Sequence, residues 1–225
     1  MPSALITGAS KGIGRAIALR LAPDYDIVAL ARSEDQLRTL GAEIAAKGGR
    51  CTAVGVDLRD PTAIATALQG VTADVLVNNA GVMHRKSFID LMPDEWSEMM
   101  DVNVNAIYHV THAILPGMIA KGAGHIINVS SIAGRSIMLG GSGYNATKHA
   151  VQALSECLML EVRDHGVKVS LVMPGSVATE LTPGGSKVAW ALRPDDVAAC
   201  VAQILSMPAH ALTFMVEVRA ARPTR

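Results

Sequence analysis

Apolar residues along this chain fall in short unbroken runs, separated by longer stretches with helical spacing. Ala4-Leu-Ile6 leads into a glycine-rich turn and then a helical segment from Ile13 to Leu21. Ile27-Val-Ala-Leu30 follows, and Ser33-Glu-Asp-Gln36 reads as a capping box opening a helix to about Lys47, ended by Gly48-Gly49. Further apolar runs occupy Cys51 to Val56, Val75 to Val77, His125 to Val129, Val167 to Met173 and Phe214 to Val218. The spacing predicts helices over Pro61–Gln69, Pro93–Ala120, Tyr144–His165 and Pro194–Leu205. Strands that read as continuous apolar runs are buried on both faces. Alternation with helices makes this an α/β chain built on a parallel sheet with helices on both sides.

Composition sharpens the picture. The 225 residues are 50% hydrophobic and 18% charged, with mean hydropathy +0.30. Disordered chains are poor in apolar residues, so disorder is excluded. No linker, repeat or low-complexity segment divides the chain, and residues 1–225 read as a single domain. Lys plus Arg and Asp plus Glu are both 20, with no basic block. A nucleic-acid partner, which demands a concentrated positive footprint, is not expected. No apolar run approaches the ~18 residues of a membrane span, and the first strand-like run begins at Ser3 without a basic leader. Cys51, Cys157 and Cys200 are too far apart for a metal motif and odd in number for a disulfide framework. They read as reduced, mostly buried thiols of a cytoplasmic protein. His109, His112, His125, His149 and His165 have no partners at ligand spacing, and no metal site is expected.

The first strand runs into Thr7-Gly-Ala-Ser-Lys-Gly-Ile-Gly14 and then a helix. Glycines let the backbone approach a pyrophosphate, and a helix N-terminus supplies unpaired N–H groups and partial positive charge. The spacing Gly8, Gly12, Gly14 differs from the common G-x-G-x-x-G dinucleotide loop and lacks the Gly-Lys-Ser/Thr ending of a P-loop. At the end of the second strand an acid would hold a ribose 2′-hydroxyl, whereas Arg accommodates a 2′-phosphate. Here Arg32 and Ser33 stand there, and Lys11 adds a second cation, which favours NADP(H) and leaves NAD(H) as the alternative. Tyr144 and Lys148, at i and i+4, share one helical face. A phenol of pKa ~10 needs about 4 kcal/mol of differential stabilisation to reach ~7, and a nearby ammonium favours its charged form.

Together these motifs resemble the single-domain short-chain dehydrogenases/reductases over nearly the whole length. The match comprises Thr7–Gly14, Asn78-Asn-Ala-Gly81, Asn103, Ser131, Tyr144 with Lys148, and Pro174-Gly175, in order. The resemblance implies a Rossmann-like doubly wound sheet of order 3-2-1-4-5-6-7, and hydride transfer between a nicotinamide cofactor and a carbonyl or alcohol. It makes Tyr144 the general acid, has Ser131 polarise the carbonyl, and has Lys148 hold the nicotinamide ribose while lowering the Tyr144 pKa. Asn103 would anchor a water in a proton relay to Lys148. Cofactor contacts are implied for Gly8, Ser10, Lys11, Gly12, Ile13 and Gly14, and for Arg32, Ser33, Asp57 and Leu58. Asn79, Ala80 and Gly81 would flank the adenosine ribose, and Pro174, Gly175, Val177 and Thr179 the nicotinamide. Among members of the family, an NADP-dependent ketone or aldehyde reductase is the leading expectation and a 3-oxoacyl-thioester reductase an alternative. A non-catalytic nucleotide sensor is the reading from another class.

The family's lid departs most. Only residues 180–192 separate Thr179 from Arg193, and Pro183-Gly-Gly185 reads as a turn, predicting an open site. Substrate walls are expected from Ser131, Tyr144, Met138 and Leu139, with Met83, His84, Ile132 and Met173. Arg85 and Arg135 read as exposed loop cations, with an anionic substrate as the alternative. Trp190 is either a lid anchor or packing. Met99, Met100, Met118 and Met159 suit either a core or an interface. The family's habit is a homo-oligomer, tetramer or dimer.

Overall fold

The expected sheet forms. In a computed structural model, which describes residues 1–181 and 188–223, seven parallel strands carry the fold. They are β1 (Ser3–Thr7), β2 (Asp26–Ala31), β3 (Cys51–Gly55), β4 (Val75–Asn78), β5 (Gly124–Val129), β6 (Val167–Pro174) and β7 (Met215–Val218). Their order is β3-β2-β1-β4-β5-β6-β7. The helices are α1 (Gly12–Leu21), α2 (Glu34–Ala46), α3 (Pro61–Ala67), α4 (Pro93–Met100), α5 (Ala106–Lys121), α6 (Ser142–Val162) and α7 (Pro194–Leu205).

Successive strand residues face opposite layers, so each apolar run serves two cores. Ala4 and Ile6 of β1, Val75 and Val77 of β4, and Ile127 and Val129 of β5 pack with Ile17 and Leu21 of α1 and with Val197 and Val201 of α7. The intervening Leu5, Leu76 and Ile126 face the other way, onto Val110, Ile114 and Met118 of α5. Chain order along the sheet reverses between β1 and β4, which pair directly at Ala4–Val75 and Ile6–Val77. In open parallel sheets such a switch point opens a crevice at the strands' carboxyl ends.

Three expectations about elements change. Pro93–Ala120 is not one helix: α4 and α5 are joined by a π-helical turn, Asp101–Asn105, with Asn103 at its centre. Such turns widen a helix locally. Ser33 stands at the N-cap of α2 but makes no side-chain cap bond, because it faces the crevice, and the acids Glu34 and Asp35 serve the helix end instead. The thiols are less buried than expected. Cys157, on the outer face of α6, is exposed, and Cys51 and Cys200 are half-buried. Met99 and Met118 are core residues, while Met100, Met159 and Trp190 are half-buried.

Candidate active site

The carboxyl ends of the strands open into a cavity of about 900 Å³. Its floor is the β1–α1 turn, where Gly8 and Gly12 have φ +66° and +57°. A Cβ on Gly8 would lie 2.9 Å from Ala80 Cα, so the turn and the loop after β4 touch backbone to backbone. Lys11 is the N-cap of α1 and provides no side-chain cap bond, so no cap side chain occupies the helix's first N–H groups. Ser10, Lys11, Gly12 and Ile13 line the cavity. Gly14 does not. A Cβ there would meet Gly8 O at 2.3 Å, so its role is to let α1 pack on the turn. The cradle is held from below by Thr7: the Asn79 and Ala80 N–H groups donate to its Oγ1 at 2.9 and 3.1 Å. The side chain of Asn79 in turn donates to Thr7 O at 3.0 Å. A glycine turn beneath uncapped helix N–H groups suits a phosphate, and the residues present fit a dinucleotide.

At one end lie Arg32, Ser33, Asp57 and Leu58. Arg32 is exposed and forms no ion pair among the described residues. The carboxylate of Asp57 accepts a fork from Arg59, at 2.6 Å from Nη2, which holds its pKa below the usual range. Lys11, the second cation expected here, lines the cavity and pairs with Glu180 across its mouth. Pro174, Gly175, Val177 and Thr179 line the cavity beyond this point, and Thr179 Cγ2 would lie 3.4 Å from a Cβ on Gly12.

The other end gathers Ser131, Tyr144 and Lys148 on one wall, beside Asn79, Ala80 and Gly81. Ser131 follows β5, and its Oγ accepts from Ala133 N–H at 3.1 Å, which holds it at the strand end. Tyr144 and Lys148 project from the first turns of α6, with Lys148 Nζ 5.6 Å from the Tyr144 ring centre. Nζ also donates to Val129 O at 3.3 Å. Asn103 is fully buried behind this wall rather than lining it. Its amide donates to Val82 O at 2.9 Å and Thr147 Oγ1 at 3.0 Å, and its carbonyl accepts from Val82 N–H at 2.8 Å. Gly81 sits between: a Cβ there would lie 3.4 Å from Asn103 Oδ1 and 3.9 Å from Lys148 Nζ.

Burial dominates the electrostatics of this pair. Burial pushes the Tyr144 phenol above its ordinary pKa, opposed by the Ser131 hydrogen bond. Burial also brings Lys148 down to about 8. At neutral pH Lys148 still carries its proton, and burial is the larger influence on the phenol.

The substrate wall also differs in part. Met83, Ile132, Ser136, Ile137 and Met138 line the cavity. Leu139 does not, being 94% exposed on the outside of its loop. Met173 is buried in the β6 core, His84 turns away onto Glu98, and Arg135 pairs with Glu217. The predicted turn at Pro183–Gly185 lies outside the described residues. Sequence reasoning missed Asn145, which is buried. Its amide donates to Ala133 O at 2.7 Å and Ser136 O at 2.8 Å, and its carbonyl accepts from Met138 N–H, fixing the substrate wall to α6. A polar residue beside Tyr144 in a buried helix was the available signal. Among the described residues no cluster of ligating side chains suits a metal, and no helix is long and apolar enough to cross a membrane.

Comparison with known proteins adds four findings. A family model described as short chain dehydrogenase matches residues 2–190. The oxidoreductase UcpA of Escherichia coli is 34% identical over 223 residues, covering 96% of this chain and 84% of that protein. Among solved structures, a metagenomic short-chain oxidoreductase in complex with NADP is 37% identical with TM-score 0.87, covering 100% of this chain and 97% of the other. An alcohol dehydrogenase from the archaeon Thermococcus sibiricus, complexed with 5-hydroxy-NADP, is 30% identical with TM-score 0.92, and each chain is covered in full, 100%.

Proposed function

This chain belongs to the short-chain dehydrogenase family of oxidoreductases, and on that premise we propose that it interconverts a carbonyl and an alcohol with NADP(H), using Tyr144 as the proton donor and acceptor. The observation that carries this reading is that Ser131, Tyr144 and Lys148 share a wall of the cavity whose floor is the Gly8–Ile13 turn. A nicotinamide nucleotide held there supplies or accepts the hydride. In reduction the carbonyl carbon gains that hydride and the carbonyl oxygen gains the Tyr144 proton. Ser131 donates a hydrogen bond to the same oxygen and steadies the negative charge that develops on it. Lys148 holds ribose hydroxyls and, as its ammonium, supports the phenolate left behind. The Asn103 side chain is engaged with Val82 and Thr147, so it acts as a positioning residue behind Lys148.

The preference for NADP(H) rests on Arg32, exposed at the rim beside Ser33, and agrees with the NADP-type ligands of both solved neighbours. NADPH would bind with Lys11 leaving Glu180 for the 2′-phosphate. That exchange costs little free energy, since exposed ion pairs contribute about 0–1 kcal/mol. We read the chain as a cytoplasmic homo-oligomer, joined through the exposed Tyr108 and Ile119 of α5 and Leu160 of α6.

The test is Tyr144→Phe assayed with NADPH and a panel of ketones and aldehydes. Turnover should fall by about 10²-fold or more, with NADPH affinity nearly retained. Substantial turnover in that variant rejects the assigned proton donor, and equal dissociation constants for NADPH and NADH reject the assigned cofactor.

A further inference from the structure

We infer that Arg85 determines specificity, selecting carbonyl substrates that carry a carboxylate set apart from the reacting carbon; this names a substrate class for the activity proposed above and rests on it. After β4 the chain runs through Met83-His-Arg-Lys86 without regular structure, and its side chains alternate. Met83 and Arg85 line the cavity. His84 and Lys86 turn the opposite way onto α4, where His84 Nε2 meets Glu98 at 2.7 Å and Lys86 Nζ meets Glu95 at 2.7 Å. Glu95 and Glu98 of α4 are thus taken by the neighbours of Arg85, and Asp90 accepts from the Ser87 hydroxyl. Its own hydrogen bond is from Nε to Leu139 O at 3.4 Å, which braces the stem against the opposite loop. Neither terminal guanidinium nitrogen has a protein partner among the described residues.

The other cations of the cavity are accounted for. Lys11 is paired with Glu180, Arg32 stands at the β2 end, and Lys148 is buried against Val129 O. Arg85 is thus the cation of the substrate side among the described residues, and apolar Met83, Ile137 and Met138 line the cavity around it. That combination suits a carbonyl compound with an apolar body and a planar anion, which a guanidinium fork grips with two parallel hydrogen bonds. Arg85 is exposed, as the sequence predicts, and what sets it apart from its neighbours is that it lines the cavity with its guanidinium end unpaired among the described residues.

The experiment compares straight-chain oxo acids of increasing length with their methyl esters, using wild type, Arg85→Gln and Arg85→Lys with saturating NADPH. Wild type should favour the best acid over its ester by about tenfold or more in kcat/KM. The difference should lie in KM and shrink as salt is raised. Arg85→Gln should raise KM for the acid by a similar factor, with a far smaller effect on the ester, and Arg85→Lys should recover part of the preference. A wild type that reduces acid and ester equally, or a Gln variant that weakens both alike, overturns the assignment while leaving the reductase intact. Absence of turnover with every carbonyl, simple ketones included, overturns both.

Discussion

Lys148 is held in place against its own solvation. Burial lowers its pKa from 10.5 to about 8, so the folded chain binds its proton less tightly than the unfolded chain does. Between those values the unfolded state carries the extra proton and stability rises with pH; below about 8 the full penalty of about 3 kcal/mol applies. Lys148→Met should therefore stabilise the protein by about 2 kcal/mol at neutral pH, the lost bond to Val129 O offsetting the rest, while abolishing turnover. Thermal denaturation beside a steady-state assay checks this, and a lowered Tm would contradict it. His125 behaves likewise for a structural reason. Burial, assisted by Lys168, brings its pKa from 6.5 to about 4. Ser170 Oγ gives its own hydrogen to Thr213 O, so it accepts from the Nε2–H of a neutral imidazole, 2.8 Å away. His125 thus contributes stability that is complete above pH 6.5 and is lost as pH falls toward 4, by roughly 3 kcal/mol. Urea titrations across that range should show the loss, and His125→Gln should flatten it. None of this was visible in the residues alone: a Tyr and a Lys one turn apart announce a pair, whereas the signs of their shifts depend on the walls around them.

Elements set these residues by means that periodicity does not register. The apolar spacing of Pro93–Ala120 continues through the π turn, because the residues on either side keep their own buried faces. What breaks the helix is a long-range event, the docking of Asn103 on the Val82 backbone. Asn103→Ala would leave the part-buried N–H and carbonyl of Val82 short of partners, while the Thr147 hydroxyl keeps its bond to Tyr144 O, for about 3 kcal/mol of lost stability. Chemical denaturation measures that, and a change below about 0.5 kcal/mol would show that the turn does not need the side chain. Gly14 is the complementary case. The sequence motif makes it a ligand contact, but its missing Cβ is needed for α1 to meet Gly8. Gly14→Ala should cost stability even without nucleotide, as Tm of the unliganded chain will reveal.

At the scale of the whole molecule, the sheet order brings the ends of β1, β2, β3, β4, β5 and β6 around one crevice, so residues from Gly8 to Thr179 line a single cavity. A ligand bound there couples to global unfolding. NADPH at about 100 times its dissociation constant should add about 2.7 kcal/mol to stability, and NADH at the same concentration distinctly less; equal Tm shifts would speak against Arg32 as the selector. Light scattering should give a mass above that of one chain. The sheet, its order by resemblance, the glycine turn and the Ser131–Tyr144–Lys148 set were all legible in the sequence. They depend on local backbone demands and on apolar runs that a parallel sheet makes continuous. The engagement of Lys11 by Glu180, the outward turn of Leu139, the bracing by Asn145 and the alternation that points Arg85 inward were not. Each depends on which distant segment lies across the gap, and only the assembled fold decides that.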